Sequence, residues 1–223
     1  MSVRTLVVLS DAPGVAQRGA DEVAAAASVA IAARGRFTFA VSGGHTPWAM
    51  FRALAHEDLA WEAFGIWQVD ERVAPDGDPD RNLTSLVQAL PEAVELHPMP
   101  VTEDDLDAAA KRYAASLPEA FDLVHLGMGD DGHTASLVPG DPVVEVADRD
   151  VALTLEYRGR RRMTLTYPTL GRSRRVLWLI TGEDKAPMVP RLLAGDPSIP
   201  AGRVSTPEQL VVADRAAAAE VAG

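Results

Sequence analysis

The chain contains no cysteine, which rules out a disulfide framework, a thiolate metal site and a cysteine nucleophile. It contains no GxSxG segment, so a serine nucleophile on a sharp strand-to-helix elbow is not indicated. Its five histidines form no HxH or HxxxH pair, and no metal is expected. Long apolar runs are also missing. The longest, Val23–Ala33, is alanine-rich and falls well short of the ~20 residues that span a bilayer. The apolar patch within MSVRTLVVLSDAPG is too short for the central region of a signal peptide and reads better as a first strand. A cytoplasmic location follows as the expectation. Lysine is scarce: Lys111 and Lys185 are the only two among 21 basic residues. Net charge is −11, which argues against nucleic acid or an anionic membrane as the main partner. Any small anionic ligand must therefore be held by a few locally placed cations and amides.

What is present reads as an ordinary globular α/β chain. At 223 residues, 47% apolar and 24% charged, it has length and composition enough for one domain with a real core, and a single domain over 1–223 is expected. Apolar β-type runs alternate with helical patterns from end to end, the pattern of a mostly parallel sheet flanked by helices. Strands are expected at Thr5–Ser10, Phe37–Val41, Gly65–Val69, Ala93–Pro98, Phe121–Gly127, Val151–Glu156, Met163–Thr166, Arg175–Ile180 and Leu210–Ala213. Helices are expected at Val15–Ala33, Pro47–Ala55, Leu83–Leu90, Glu103–Leu117, Glu183–Leu193 and Arg215–Val221, with Thr102 as the N-cap before Glu103. Part of residues 140–170 is expected to form a small β-containing lobe.

The most informative stretch is LGMGDDGHTASLVP, Leu126–Pro139. An apolar strand runs into glycines, two aspartates and a histidine, which places polar groups at the carboxyl edge of a sheet, where α/β proteins bind ligands. His133 is the residue suited to acid–base work near neutral pH, and Asp131 is the adjacent carboxylate that would orient it. Gly129 belongs to the same turn and counts as a candidate ligand-contacting position, with backbone amides between Gly129 and Gly132 as possible oxyanion donors. His125 lies inside the apolar run and reads as a core or cleft-edge histidine.

SGGHTP, Ser42–Pro47, lies between the strand FTFAV and a helix. Ser42, Gly43, Gly44 and Thr46 then sit where free helix N–H groups receive an anion, with Thr46 as the cap and Pro47 in the first helical position. His45 is expected to be exposed or one step removed from a ligand. DER follows the strand FGIWQV: Arg72 is a candidate phosphate or hydroxyl clamp, and Asp70 a partner for sugar hydroxyls or for the acid–base machinery. Most of the basic run Arg158–Arg162 reads as solvated surface. Lys185 is placed in the first turn of a helix, where its charge opposes the dipole and a bound phosphate would account for it.

GMGxDGHTASLxP resembles the characteristic segment of the 6-phosphogluconolactonases, in a superfamily that includes glucosamine-6-phosphate deaminases. SGGHTP, DER, RMTLT at Arg162–Thr166 and GxxK at Gly182–Lys185 follow that family's order, so the resemblance covers about residues 38–190. It implies a Rossmann-like sugar-phosphate isomerase type of fold, hydrolysis of a phosphorylated sugar lactone without a cofactor, Arg162 and Lys185 as ligand-binding cations, and a sugar-phosphate lactone as partner. A monomer is favoured. Two alternatives stand beside this reading. The deaminase and isomerase branch looks similar up to DGH but typically continues with an Asn-Glu pair, whereas this chain continues Thr134-Ala135-Ser136-Leu137-Val138-Pro139 with no acid, and that branch carries Asp-Glu-Tyr where this chain has DER. A non-catalytic sugar-phosphate sensor would carry a helix-turn-helix segment or lose His133. The chain departs from the family at Arg81-Asn82, where Ser-Asn is usual, and at Val138, where Phe is usual.

Overall fold

The computed structural model describes residues 3–221. Ten strands and seven α-helices follow in chain order: β1 (Val3–Leu9), α1 (Ala12–Arg34), β2 (Phe37–Val41), α2 (His45–Leu54), β3 (Phe64–Gln68), β4 (Asp70–Arg72), α3 (Asn82–Ala89), β5 (Glu95–His97), α4 (Leu106–Ala115), β6 (Leu123–Leu126), β7 (Val151–Leu153), β8 (Arg162–Leu165), α5 (Tyr167–Gly171), β9 (Arg175–Ile180), α6 (Val189–Ala194), α7 (Pro200–Arg203) and β10 (Glu208–Asp214). Seven strands form one parallel sheet in the order β1-β10-β9-β6-β2-β3-β5. This is the expected fold class.

Strand periodicity divides the core into two layers. Phe37, Phe39 and Val41 of β2, with Leu177 and Leu179 of β9, pack against α1 and α2. Ala40, Val176, Trp178 and Ile180 point the other way, toward α4, α6 and the small sheet. Burial on both faces is why these strands read as nearly continuous apolar runs. After β2 the chain goes on to β3 on one side, whereas after β6 it goes on to β9 on the other. Adjacent β2 and β6 therefore bracket the switch point, where the loops diverge and leave a crevice.

The small lobe exists but is not confined to residues 140–170. Its antiparallel sheet has the order β4-β8-β7, so DER supplies an edge strand. The helix expected from Glu103 starts later. Asp105, not Thr102, caps α4 by accepting from the Ala108 amide at 2.9 Å, while Glu103 pairs with Arg112. The helix expected over 183–193 is broken into a 3₁₀ turn at Glu183–Lys185 and then α6, because Pro187 and Pro190 remove amides and clash with the preceding turn. Residues 215–221 form turns anchored on Asp214, which accepts from the Ala217 amide at 2.8 Å. Seven residues, however alanine-rich, do not repay helix nucleation there. Among the described residues no helix is long and apolar enough to cross a membrane.

Candidate active site

Four loops leave the carboxyl ends of β2, β3, β6 and β9 and meet around a cavity of about 450 Å³. The first holds Ser42–Gly44. Gly44, at φ 131° and ψ 170°, is the N-cap of α2, a conformation that L side chains rarely adopt. Thr46 is therefore not the cap; it is already inside the helix, with its hydroxyl 3.0 Å from that of Thr181. The helix amides keep no side-chain cap and face the cavity loop. Gly43 is required by packing, since a Cβ there would lie 1.9 Å from Asn82 Oδ1.

The second loop carries DER into β4. Asp70 is buried and accepts from the Ser136 hydroxyl at 2.6 Å. Burial raises its carboxyl above the ordinary range, against the pull of Ser136, Arg162 and Arg72. Glu71, fully buried, accepts from the amides of Arg72, Asn82 and Leu83, each at 2.8 Å, and so tethers the start of α3. Buried Arg81 neutralises Glu71 at 3.5 Å and also reaches Asp76. Asn82 gives its amide N–H to the Asp70 carbonyl at 2.9 Å and receives Arg72 Nη1 at 3.1 Å.

The register of the small sheet places Arg72 directly opposite Arg162. Like charges in direct cross-strand pairs are destabilising. Arg162 is 7% exposed, its buried Nε has no partner, and burial lowers its pKa, with Asp70 opposing and Arg72 reinforcing the shift. Such a pair is held by the fold at a cost unless an anion fills the space between the guanidinium groups.

The third loop is the glycine-rich turn. The Thr134 hydroxyl donates to the Gly127 carbonyl at 2.8 Å, and the Gly129 amide to the His133 carbonyl at 2.9 Å, which close the turn on itself. His133 Nδ1 lies 2.6 Å from Asp131 Oδ1, and the same oxygen accepts the His133 amide at 2.9 Å. Burial raises the Asp131 carboxyl, but the amide, charge and ring of His133, with the Tyr157 hydroxyl, outweigh it and hold Asp131 below its ordinary value. Asp131 stands behind His133 and does not line the cavity. Neither does Gly129, whose contribution is space: a Cβ there would lie 2.1 Å from His133 Nδ1. The expected ligand contact at Gly129 is corrected to a packing role.

The fourth loop brings Thr181 and Lys185 to the cavity, with Lys185 Nζ 2.7 Å from Asp184 Oδ2. Lys185 sits in a 3₁₀ turn, not in the first turn of an α-helix. Ser42, Gly43, Gly44, Thr46, Asp70, Arg72, His133, Arg162 and Lys185 are thus brought together on one cavity. His45 is exposed and also lines it. His125 is buried on its floor with both ring nitrogens unpartnered, and burial lowers it to about 3, the Ser42 backbone offsetting part of the shift. Among the described residues no three His, Asp or Glu side chains are grouped to hold a metal ion.

Several contributors escaped the sequence reading. Arg158 lines the cavity, although its run read as solvated surface, and its partner is Asp130 at 3.6 Å. Thr181 and Asn82 also line it, and Ser136 and Glu71 support it from within. The Ser-Asn pattern that the chain breaks at Arg81-Asn82 was the available signal for Asn82. Nothing local marked Ser136 or Arg158.

A parallel α/β sheet whose switch-point crevice holds an aspartate-oriented histidine among cations defines a small-anion-handling enzyme class. Residues 10–213 match the family model described as glucosamine-6-phosphate isomerases/6-phosphogluconolactonase, and the chain belongs to this family. A 6-phosphogluconolactonase from Synechocystis sp. is 40% identical over 172 residues, covering 70% of this chain and 71% of the relative. Another, from Streptomyces coelicolor, is 34% identical over 231 residues, covering 91% of this chain and 85% of the relative. The solved structure of a Thermotoga maritima 6-phosphogluconolactonase matches with a TM-score of 0.84 at 24% identity, over 96% of this chain and 100% of that one. A monomeric glucosamine-6-phosphate deaminase matches with a TM-score of 0.82 at 21% identity, over 99% of this chain and 100% of that one. These two likenesses show the fold, which both kinds of enzyme share.

Proposed function

We propose that this protein hydrolyses 6-phospho-D-glucono-1,5-lactone to 6-phosphogluconate, a step of the pentose phosphate pathway. The observation that carries the reading is the cross-strand pair Arg72–Arg162, open to the same cavity as an aspartate-held histidine. Arg72, Arg162 and Lys185 take the phosphate. The short Nδ1 contact with Asp131 assigns the imidazole proton to Nδ1 and leaves Nε2 free to accept. His133 then removes a proton from water as its oxygen attacks the lactone carbonyl. Amides of the Gly43–Gly44 turn and the α2 N-terminus are the donors available to the tetrahedral oxyanion. Collapse breaks the bond to the ring oxygen, which takes the proton back from His133, and the product leaves as an open-chain acid. No step uses a cofactor. Asp70 is placed to bond sugar hydroxyls, with Ser136 holding its other side.

The continuation Thr134–Pro139 after the Asp-Gly-His segment carries no acid, and DER stands where Asp-Glu-Tyr would, which argues against the deaminase alternative. The presence of His133 with its partner Asp131 argues against a non-catalytic sensor. The proposal extends to a single domain acting as a monomer in the cytoplasm. The test is a paired assay of lactone hydrolysis and glucosamine-6-phosphate deamination by the purified protein. Hydrolysis well above the spontaneous rate, without deamination, is expected; the converse would overturn the proposal.

A further inference from the structure

The stretch between β7 and β8 folds back in a tight hairpin. Tyr157 and Arg160 exchange backbone hydrogen bonds at 3.0 and 3.3 Å, and the two residues between them, Arg158 at φ 52° and Gly159 at φ 79°, are both left-handed. Two left-handed residues in a row are the mark of a turn whose twist matches its flanking strands. A non-glycine residue in that region is held there by its surroundings, and here the hairpin delivers one side chain, Tyr157, to the back of the cavity.

Four contacts converge on that side chain. Its hydroxyl donates to Asp131 Oδ2 at 3.3 Å, the carboxylate oxygen that His133 leaves free. Its ring meets the His133 imidazole edge to face, with centroids 5.7 Å apart and planes at 66°. The guanidinium groups of Arg158 and Arg162 lie over the same ring, 5.1 and 5.2 Å from its centroid. The ring thus touches the proposed base on one side and a proposed phosphate ligand on another, and neither contact is to the substrate cavity itself, which Tyr157 does not line.

We propose that Tyr157 is a positioning residue, fixing the Asp131–His133 pair through its hydroxyl and seating Arg162 through its ring. Asp131 with both oxygens engaged cannot swing away from the imidazole, so Nε2 keeps one direction toward the lactone carbonyl. Burial and the neighbouring Asp131 keep the phenol protonated, hence a donor, across the working pH range. The electron-rich ring attracts the buried Arg162 guanidinium 5.2 Å from its centroid, and the exposed Arg158 at 5.1 Å adds a weaker contact. This inference rests on the lactonase reading and adds a residue to it.

The test compares Tyr157→Phe and Tyr157→Leu with the wild-type enzyme, measuring kcat and KM against pH and melting temperature for each. Tyr157→Phe keeps the ring and loses the hydroxyl. Loss of one long hydrogen bond that reaches the reaction only through Asp131 predicts about a three- to tenfold fall in kcat with KM within about twofold. The acid limb of the kcat/KM profile should move to higher pH, since an Asp131 relieved of one donor holds the protonated imidazole more strongly. Tyr157→Leu loses the ring as well, and KM should rise by about threefold or more as Arg162 is unseated. Wild-type kcat and an unmoved acid limb in both variants would overturn the inference, as would losses that follow melting temperature with the limb unmoved. His133→Ala separates the two levels. If it is inactive while both Tyr157 variants behave as wild type, only the positioning role falls; if it retains activity, the lactonase chemistry assigned to His133 falls first.

Discussion

The molecule has two arginine-lined hollows at opposite edges of the same sheet, and they differ in how their charge is met. At the amino edge, a hollow of about 590 Å³ is lined by Arg34, Arg36, Arg172 and Arg174. Each has a carboxylate: Arg34 and Arg174 share Asp122 at 2.6 and 3.3 Å, Arg36 has Glu95 at 2.9 Å, and Arg172 has Asp150 at 2.7 Å. Asp122 is itself held by the Thr38 amide and hydroxyl. At the carboxyl edge, Arg72 donates to the Asp80 carbonyl and to Asn82, and Arg162 keeps an unpartnered Nε. The one acid between them, Asp70, is buried and engaged by Ser136. The number of arginines is therefore uninformative; what marks a site is positive charge that the fold has left unmatched and shielded from water.

The comparison breaks first at His133. His133→Ala should fold normally by circular dichroism and lose about 10²–10⁴-fold in lactone hydrolysis, after subtraction of the spontaneous reaction. Activity within about threefold of wild type would remove the histidine from the mechanism.

A paired substitution sharpens the contrast between the two edges. Lys185→Ala should cost more than tenfold in kcat/KM on the phosphorylated lactone, since a charge-assisted hydrogen bond contributes about 1.5–3 kcal/mol, and much less on plain gluconolactone. Arg174→Ala should leave both values within about twofold, because it lines the hollow at the opposite edge of the sheet and its exposed pair with Asp122 contributes little. Equal losses from the two variants would show that position at the carboxyl edge confers nothing special.

His125 links the site to acid stability. Its folded value of about 3 lies below the ordinary 6.5, so the native state holds it neutral; that stability is intact above pH 6.5 and is lost as pH falls toward 3. By pH 5 the loss reaches about 2 kcal/mol, or about 4–8 °C in Tm for a chain of this size. His125→Leu, beside apolar Val41 and Leu177 in the sheet, should raise Tm at pH 5 by several degrees more than at pH 8. A pH-independent difference would contradict the burial assigned to the ring. The smallest effect is expected from Arg36→Ala, which removes an exposed pair with Glu95 and should change stability by no more than about 1 kcal/mol, less still at high salt.

How far the site was legible depends on the distance over which its parts communicate. SGGHTP and GMGDDGHTAS could be placed because each is an apolar strand running into glycines, and the strand alone decides which edge they reach. The choice of Asp131 as the partner of His133 agrees with the geometry, while its neighbour Asp130 turns outward to Arg158. DER could be placed at a strand's carboxyl edge, but its pairing as a strand and the burial of its middle residue could not be read. In the structure Glu71 is the most buried of the three, satisfied by amides eleven and twelve residues on. No local pattern shows that Arg72 faces Arg162 across a three-residue edge strand, since that register is set by packing between segments far apart in sequence. Thr46 and Thr102 failed as caps for a shared reason: a glycine in one case and an aspartate in the other already occupied the position just before the helix.

The most direct test of unmatched charge at the carboxyl edge as the basis of function is the wild-type enzyme's kcat/KM for 6-phosphogluconolactone set against gluconolactone under identical conditions. Anchoring of the phosphate by Arg72, Arg162 and Lys185 predicts a preference well above tenfold for the phosphorylated substrate. Comparable values for the two lactones would contradict it, whatever His133 proves to do.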